Sequence, residues 1–383
     1  MSTNARGHVV GLCLEPLDVL FFRDGRPFMA GTEHMVSGLP LPQTLAGAIR
    51  TALLRAAGCD FRRFGDAQKN GAAFADAVQQ SCEQAHHWIG EVIVRGPWLA
   101  RRRNGTESVE VLVPVPATLH REKHDRDQLH RLLPLKEGQL PGWNPSDYQR
   151  ALRPLWLRHL PATEPASGYL TRNGLEQFLR AEQVDARYIV TPEALFALDH
   201  RTGIGINSER LVAEESQIFG RGFLALNPGF REGKRDESLT VFLYAEVAMP
   251  TGGCLELFDG IKTLPLGGEG RHVLVHRVAP FSWPVVKPND RQKPLVLLTT
   301  PCAFEAGWKP RAFSGLLVSA AVPGSLAYSG WDLARGGPKP TRFAVPAGSV
   351  YFLNEDWSGR LAENEEDHRQ GWGCFLKGVW HDD

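Results

Sequence analysis

Four residues, Leu39-Pro40-Leu41-Pro42, constrain the fold of this chain more than any others. Each proline fixes its own φ and pushes the preceding residue out of the helical region, so the backbone must run extended up to Thr44. Thr44 then offers a hydroxyl as N-cap. Beyond it, Leu45, Ile49, Ala52, Leu53 and Ala56 recur on one helical stripe. Gly58 suits the position just past the helix end. Gly47 adds nothing to helix formation and points instead to close approach of another backbone.

Upstream, Val9 to Leu14 is apolar on both faces and reads as a central strand ending before Pro16. Phe21-Phe22-Arg23-Asp24-Gly25-Arg26 follows, with Asp24-Gly25 as a tight turn that holds Arg23 and Arg26 near its tip. The opening order is therefore strand, arginine-bearing turn, proline-rich approach, packed helix.

This order resembles the N-terminal signature of a known family. The runs PLDVLFFRDGRPF (16–28), LPLPQTLAGAIRTALL (39–54), GIGINSERLVAEESQIF (203–219), LGGEGR (266–271) and GWGCFLKGVW (371–380) are spread over most of the chain. Together they resemble the subunit-3 family of the type III-B (Cmr) CRISPR effector complex, a branch of the RAMP proteins. The resemblance implies an α+β chain of two ferredoxin-like, RRM-like RAMP domains with insertions. It implies a non-catalytic RNA-binding scaffold in antiviral defence that grips the repeat-derived 5′ tag of CRISPR RNA. Its implied partners are that RNA, the large polymerase-like subunit and the backbone RAMP subunits, with target RNA met indirectly.

Charge agrees with a local rather than a global RNA contact. Lys+Arg and Asp+Glu both number 43 in 383 residues, which argues against a protein that coats nucleic acid over its whole surface. Residues 262–311 hold 8 basic and 3 acidic side chains, whereas residues 354–383 hold 3 and 8. The first run is a candidate for phosphate contact. The six cysteines share no short metal-type spacing and read as reduced thiols, which fits a cytoplasmic protein. No apolar run reaches the ~18 residues that a membrane helix needs.

Further along, 60–70 reads as a loop or short helix and 72–88 as helical. Strands are expected at 91–98 and 109–115, with Arg101-Arg102-Arg103 at the hairpin tip. Residues 119–165 are charged, rich in histidine and broken by proline, and read as an insertion. Thr171 to Arg180 is expected to be a helix capped by Thr171. The hydrophilic stretch 229–238 marks the expected boundary between an N-terminal domain, 1–235, and a C-terminal domain, 236–383. In the second half, strands are expected at 239–248, 272–278, 295–300, 315–322, 349–353 and 373–380, with a short helix at 252–262.

No set of residues makes a convincing catalytic centre. The glycines of 203–205 do not form GxGxxG, and G-x-S-x-G, H-E-x-x-H and P-loop motifs are missing. Cys82-x-x-x-His86 lacks a second ligand pair for zinc. His120, His124 and His130 read as loop residues. His34 is the best single candidate for the base of a metal-independent RAMP-type endoribonuclease, which is the alternative function; an equivalent subunit of another type III subtype is a third. No cofactor or metal is expected. Consecutive glycines at 267–268 can expose backbone N–H groups to a phosphate, with Arg271 beside them. The expected RNA-contact residues are Arg23, Arg26, His34, Arg221, Gly267, Gly268 and Arg271.

Overall fold

The computed structural model describes residues 8–22, 35–136, 138–140, 152–157, 161–207, 209–210, 212–226, 238–289, 291–332, 334 and 336–382. Its strands and helices used below are β1 (Val9–Pro16), β2 (Met35–Val36), α1 (Pro42–Ala56), α2 (Phe61–Lys69), α3 (Phe74–Ser81), β3 (Ile93–Arg103), β4 (Val109–Pro114), β5 (Tyr169–Leu170), α4 (Arg172–Leu179), β6 (Ile189–Val190), β7 (Ala197–Ile206), β8 (Ala213–Ala225), β9 (Leu239–Ala248), β10 (Thr263–Pro265), β11 (His272–Val278), β12 (Lys293–Leu298), β13 (Leu317–Ala321), β14 (Val350–Leu353) and β15 (Phe375–Trp380). The architecture is mixed α/β, dominated by sheets, with few helices.

Eight strands form the main sheet in the order β6-β5-β4-β3-β9-β1-β11-β10, and every neighbour is antiparallel. β1 lies between β9 and β11, and both of its faces are covered, which is why both are apolar. Val10, Leu12 and Leu14 point to one face and meet Leu45, Ile49 and Leu53 of α1. Cys13 points to the other, with Trp98, Ala100, Val111, Phe242 and Tyr244, under a strap that brings Phe281 and Trp283.

Strands from both sides of the expected boundary at 229–238 share this sheet: β9 sits between β3 and β1, and β11 pairs with β1. A second sheet has the order β13-β14-β12-β15. It takes its helical cover from the N-terminal side of the chain. Leu175, Phe178 and Leu179 of α4 pack on Leu295, Leu297, Phe352, Leu376 and Trp380.

Local expectations fare unevenly. Helix α1 starts at Pro42 rather than beyond Thr44, with Leu41 as N-cap and no side-chain cap bond. Proline at the first helical position loses nothing, because its missing N–H had no partner there. Gly58 has φ +68, and Gly58 N–H→Arg55 O with Cys59 N–H→Leu54 O closes a Schellman motif. Gly47 is exposed and a Cβ there would meet nothing within 4 Å, so no backbone approaches it. Thr171 is the N-cap of α4, again without a side-chain bond. The stretch 72–88 breaks at Cys82: α3 ends at Ser81 and a 3-10 turn begins at Gln84, so Cys82 and His86 share no helix.

The arginine triplet is not at the hairpin tip. β3 continues through Arg103, and Arg101 stands opposite Glu110 and Val241, with its Nε 2.6 Å from Glu110 Oε2. In the histidine-rich insertion, Leu119–Glu122 pairs with Leu129–Arg131 and Thr163–Pro165. His120 faces His130 across the strands, and His130 Nε2 is 2.8 Å from Glu122 Oε1.

Candidate RNA interface

Three distant segments meet at one end of the main sheet. Phe21 and Phe22 follow β1, β7 and β8 form an antiparallel ribbon with β2 parallel along its β8 edge, and residues 266–271 close a glycine turn. Leu20 and Leu224 exchange backbone hydrogen bonds of 2.8 Å, which docks the ribbon on the end of β1. Gly268 N–H donates to Phe21 O at 2.8 Å, which docks the turn on the other side. Ser37 N–H donates to Gly222 O, and Ser37 Oγ accepts from Phe22 N–H at 2.9 Å.

The register of the ribbon decides which side chains face inward. Asp199 stands opposite Phe223, and Arg201 opposite Arg221. Strand alternation therefore puts Asp199, Arg201, Arg221 and Phe223 on one face. The Phe21 and Phe223 rings pack with centroids 5.2 Å apart, both buried. Guanidinium groups cover them: Arg271 Cζ is 4.8 Å and Arg201 Cζ 5.1 Å from the Phe223 centroid, and Arg221 Cζ is 5.9 Å from that of Phe21. Each such contact is worth about 0.5–1 kcal/mol at exposed sites and more when desolvated.

Carboxylates hold these arginines from the other side. Arg271 Nη1 donates to Asp18 Oδ2 at 2.8 Å, and Arg221 Nη1 lies 2.7 Å from Glu269 Oε1. Arg201 donates to Asp199 at 2.8 Å and lies 3.6 Å from Asp18.

Of the expected contact residues, the fold brings together Arg221, Gly267, Gly268 and Arg271. Arg23, Arg26 and His34 lie outside the described residues. The glycines act differently from the expectation of free N–H donors. Gly268 N–H is already bonded to Phe21 O, and Gly267 is glycine because its φ is +84 and a Cβ would lie 2.4 Å from Phe21 O. The turn is therefore a docking element that delivers Arg271 and Glu269. Asp18, Phe21, Arg201 and Phe223 were not singled out from the sequence. The available signal was the alternation Asp199-x-Arg201 and Arg221-x-Phe223 in strands that pair.

Half of the expected basic run, four of its eight cations, is paired with carboxylates within the fold. Arg271 meets Asp18, Arg277 Asp259, Lys293 Asp382 and Arg311 Glu305. The acidic end is treated alike: Glu366 meets Arg50, Asp367 Arg342, and Asp356 Lys377. Among the described residues, no group of three or more His, Cys, Asp or Glu side chains could hold a metal ion. No helix among them is long and apolar enough to cross a membrane.

The model of the CRISPR-associated Cmr3 protein family matches residues 12–380. The chain belongs to the Cmr3 family. Among solved structures, a chain of the type III-B Cmr-β complex bound to cognate target RNA is similar at 14% identity, with 89% of this chain and 86% of that one covered and a TM-score of 0.48. The same complex with target RNA and AMPPnP gives 15% identity, 89% and 86% coverage, and a TM-score of 0.47. A chain of the Csm3–Csm4 subcomplex of the type III-A interference complex gives 12% identity, 96% and 98% coverage, and 0.42. No curated protein matches the sequence.

Proposed function

We propose that this Cmr3-family chain is a non-catalytic RNA-binding scaffold. It is a component of a type III CRISPR effector complex, as the family match over residues 12–380 supports. In this reading it belongs to subtype III-B, grips the repeat-derived 5′ tag of CRISPR RNA, and joins the large subunit to the backbone subunits. The chain then comprises two ferredoxin-like RAMP units that share strands in the main sheet.

One observation carries the reading: three segments far apart in sequence converge to lay Arg201, Arg221 and Arg271 over Phe21 and Phe223. Arginine pairs with phosphate through its planar fork, and the buried rings beneath hold the guanidiniums in place for that contact. In the sequence, Arg23 follows Phe22 directly and Arg26 comes three positions later.

Two measurements test it. The complex purified from a host carrying the whole operon should contain this chain and CRISPR RNA with an intact 5′ tag, as shown by sequencing the bound RNA. The isolated chain should leave labelled repeat RNA uncut, with or without divalent metal. A specific product that His34→Ala abolishes would replace the scaffold with the endoribonuclease.

A further inference from the structure

The arginine cluster is closed by negative charge on its solvent side. The Arg221 and Arg271 side chains are 26% and 22% exposed, whereas those of their partners Glu269 and Asp18 are 41% and 54% exposed. At Arg221 and Arg271 a phosphate arriving from solvent meets carboxylates first, whereas Arg201, 43% exposed, shares the surface with Asp199. Arg201, Arg221 and Arg271 against Asp18, Asp199 and Glu269 leave no net formal charge. A plain phosphate site would not be built this way.

Glu269 adds a second observation. It has φ +59, a conformation that disfavours any side chain, between glycines at 268 and 270. Glycine would form this turn without strain, so the turn keeps a glutamate for what its carboxylate does. What it does in this structure is hold Arg221.

We propose that Asp18 and Glu269 are phosphate surrogates that gate the arginine cluster, an inference that rests on the RNA-binding reading above. Each carboxylate accepts the guanidinium hydrogen bonds that a phosphate of a single-stranded RNA will take over. In the exchange the N–H···O bond to the carboxylate breaks, the bond to the phosphate forms, and the carboxylate turns to water. The arginine fork fits both acceptors, so it stays oriented throughout. A lone anion gains little over the resident carboxylate. A strand that presents several phosphates at high effective concentration displaces them together. The gate thereby suppresses binding of isolated anions while leaving the cluster open to a strand, in keeping with the neutral chain.

The test uses the full-length chain and 5′-labelled single-stranded repeat RNA, with binding measured by anisotropy over a salt series and thermal unfolding in parallel. Glu269→Gln and Asp18→Asn should each raise affinity about threefold, the size of a half-exposed ion pair expressed as binding. The double variant should gain about tenfold and show a steeper salt dependence, because phosphate no longer replaces an anion already in place. Arg221→Ala and Arg271→Ala should lose affinity. If the arginine variants lose binding but the carboxylate variants, folded as the parent is, do not gain, the gate is wrong and the RNA site stands. If none of the four changes binding, RNA does not use this face and both readings fall. Should Glu269→Gln unfold the chain, Glu269→Gly removes the same charge while relieving the positive φ, and the same gain is required of it.

Discussion

Two glycines carry opposite meanings that only their surroundings reveal. Gly267 has φ +84 and no room for a Cβ against Phe21 O, whereas Gly47 sits on the open side of α1 with nothing within 4 Å. Gly267→Ala should lower stability by about 2 kcal/mol or more, from the left-handed penalty and the backbone clash together. Gly47→Ala should raise it by about 1 kcal/mol, the helix propensity difference. Paired thermal or urea unfolding of the two variants checks both signs. A destabilised Gly47→Ala would mean that a partner or another part of the chain uses that helix face.

At the scale of elements, the strap at 279–283 and the main sheet meet through a buried carboxylate. Glu246 on β9 is 2% exposed and accepts from Trp283 Nε1 at 2.8 Å and Tyr244 Oη at 3.3 Å, with Arg95 Nη1 3.7 Å away. Burial raises its pKa above the ordinary glutamate value, and the Trp283 bond and Arg95 only partly oppose that shift. A carboxyl whose folded pKa is raised contributes stability that is complete at low pH and is lost as pH rises through the folded value. Glu246→Gln keeps an acceptor for Trp283 and removes the titration. The wild type should therefore lose stability relative to the variant as pH climbs above the ordinary glutamate value of about 4.3. Melting temperatures of both proteins from that value upward test the sign; a difference that shrinks with rising pH would contradict it.

For the whole molecule, the sheet order has a direct consequence. β9 fills the gap between β3 and β1, so a fragment ending at residue 235 leaves β1 without either of its partners, β9 and β11, and β3 with β4 on one side only. It also exposes Leu175, Phe178 and Leu179, whose cover is the second sheet. Residues 1–235 expressed alone should fail to fold cooperatively, and co-expression with 236–383 should restore a soluble pair, as circular dichroism and gel filtration would show. A cooperatively folded 1–235 would re-establish two independent domains. Charge bears on assembly at this scale. A chain with no net formal charge, whose Arg221 and Arg271 are already held by carboxylates, should bind RNA weakly alone and more tightly once partner subunits complete the groove. RNA affinity of the free chain and of the assembled complex, compared at one salt concentration, checks this; equal values would refute it.

Strands and helices governed by neighbouring residues were legible in the sequence. The apolar run 9–14 made a central strand, the stripe from Leu45 to Ala56 made α1, and Gly58 ended it, because periodicity and φ preference act over a few residues. The signature runs likewise sufficed for the family. What the tertiary structure alone decided was every pairing across long sequence separations. β9 and β11 join β1 from either side, and Leu224 of β8 docks on Leu20. The candidate site belongs to this second group. Asp18 and Arg271 are 253 positions apart, yet their atoms lie 2.8 Å apart. Their meeting depends on strand register, and a shift of one residue would turn Arg221 and Phe223 to the opposite face. Local sequence preferences set the alternation along a strand, but packing of the whole chain sets which strand it meets and in which register.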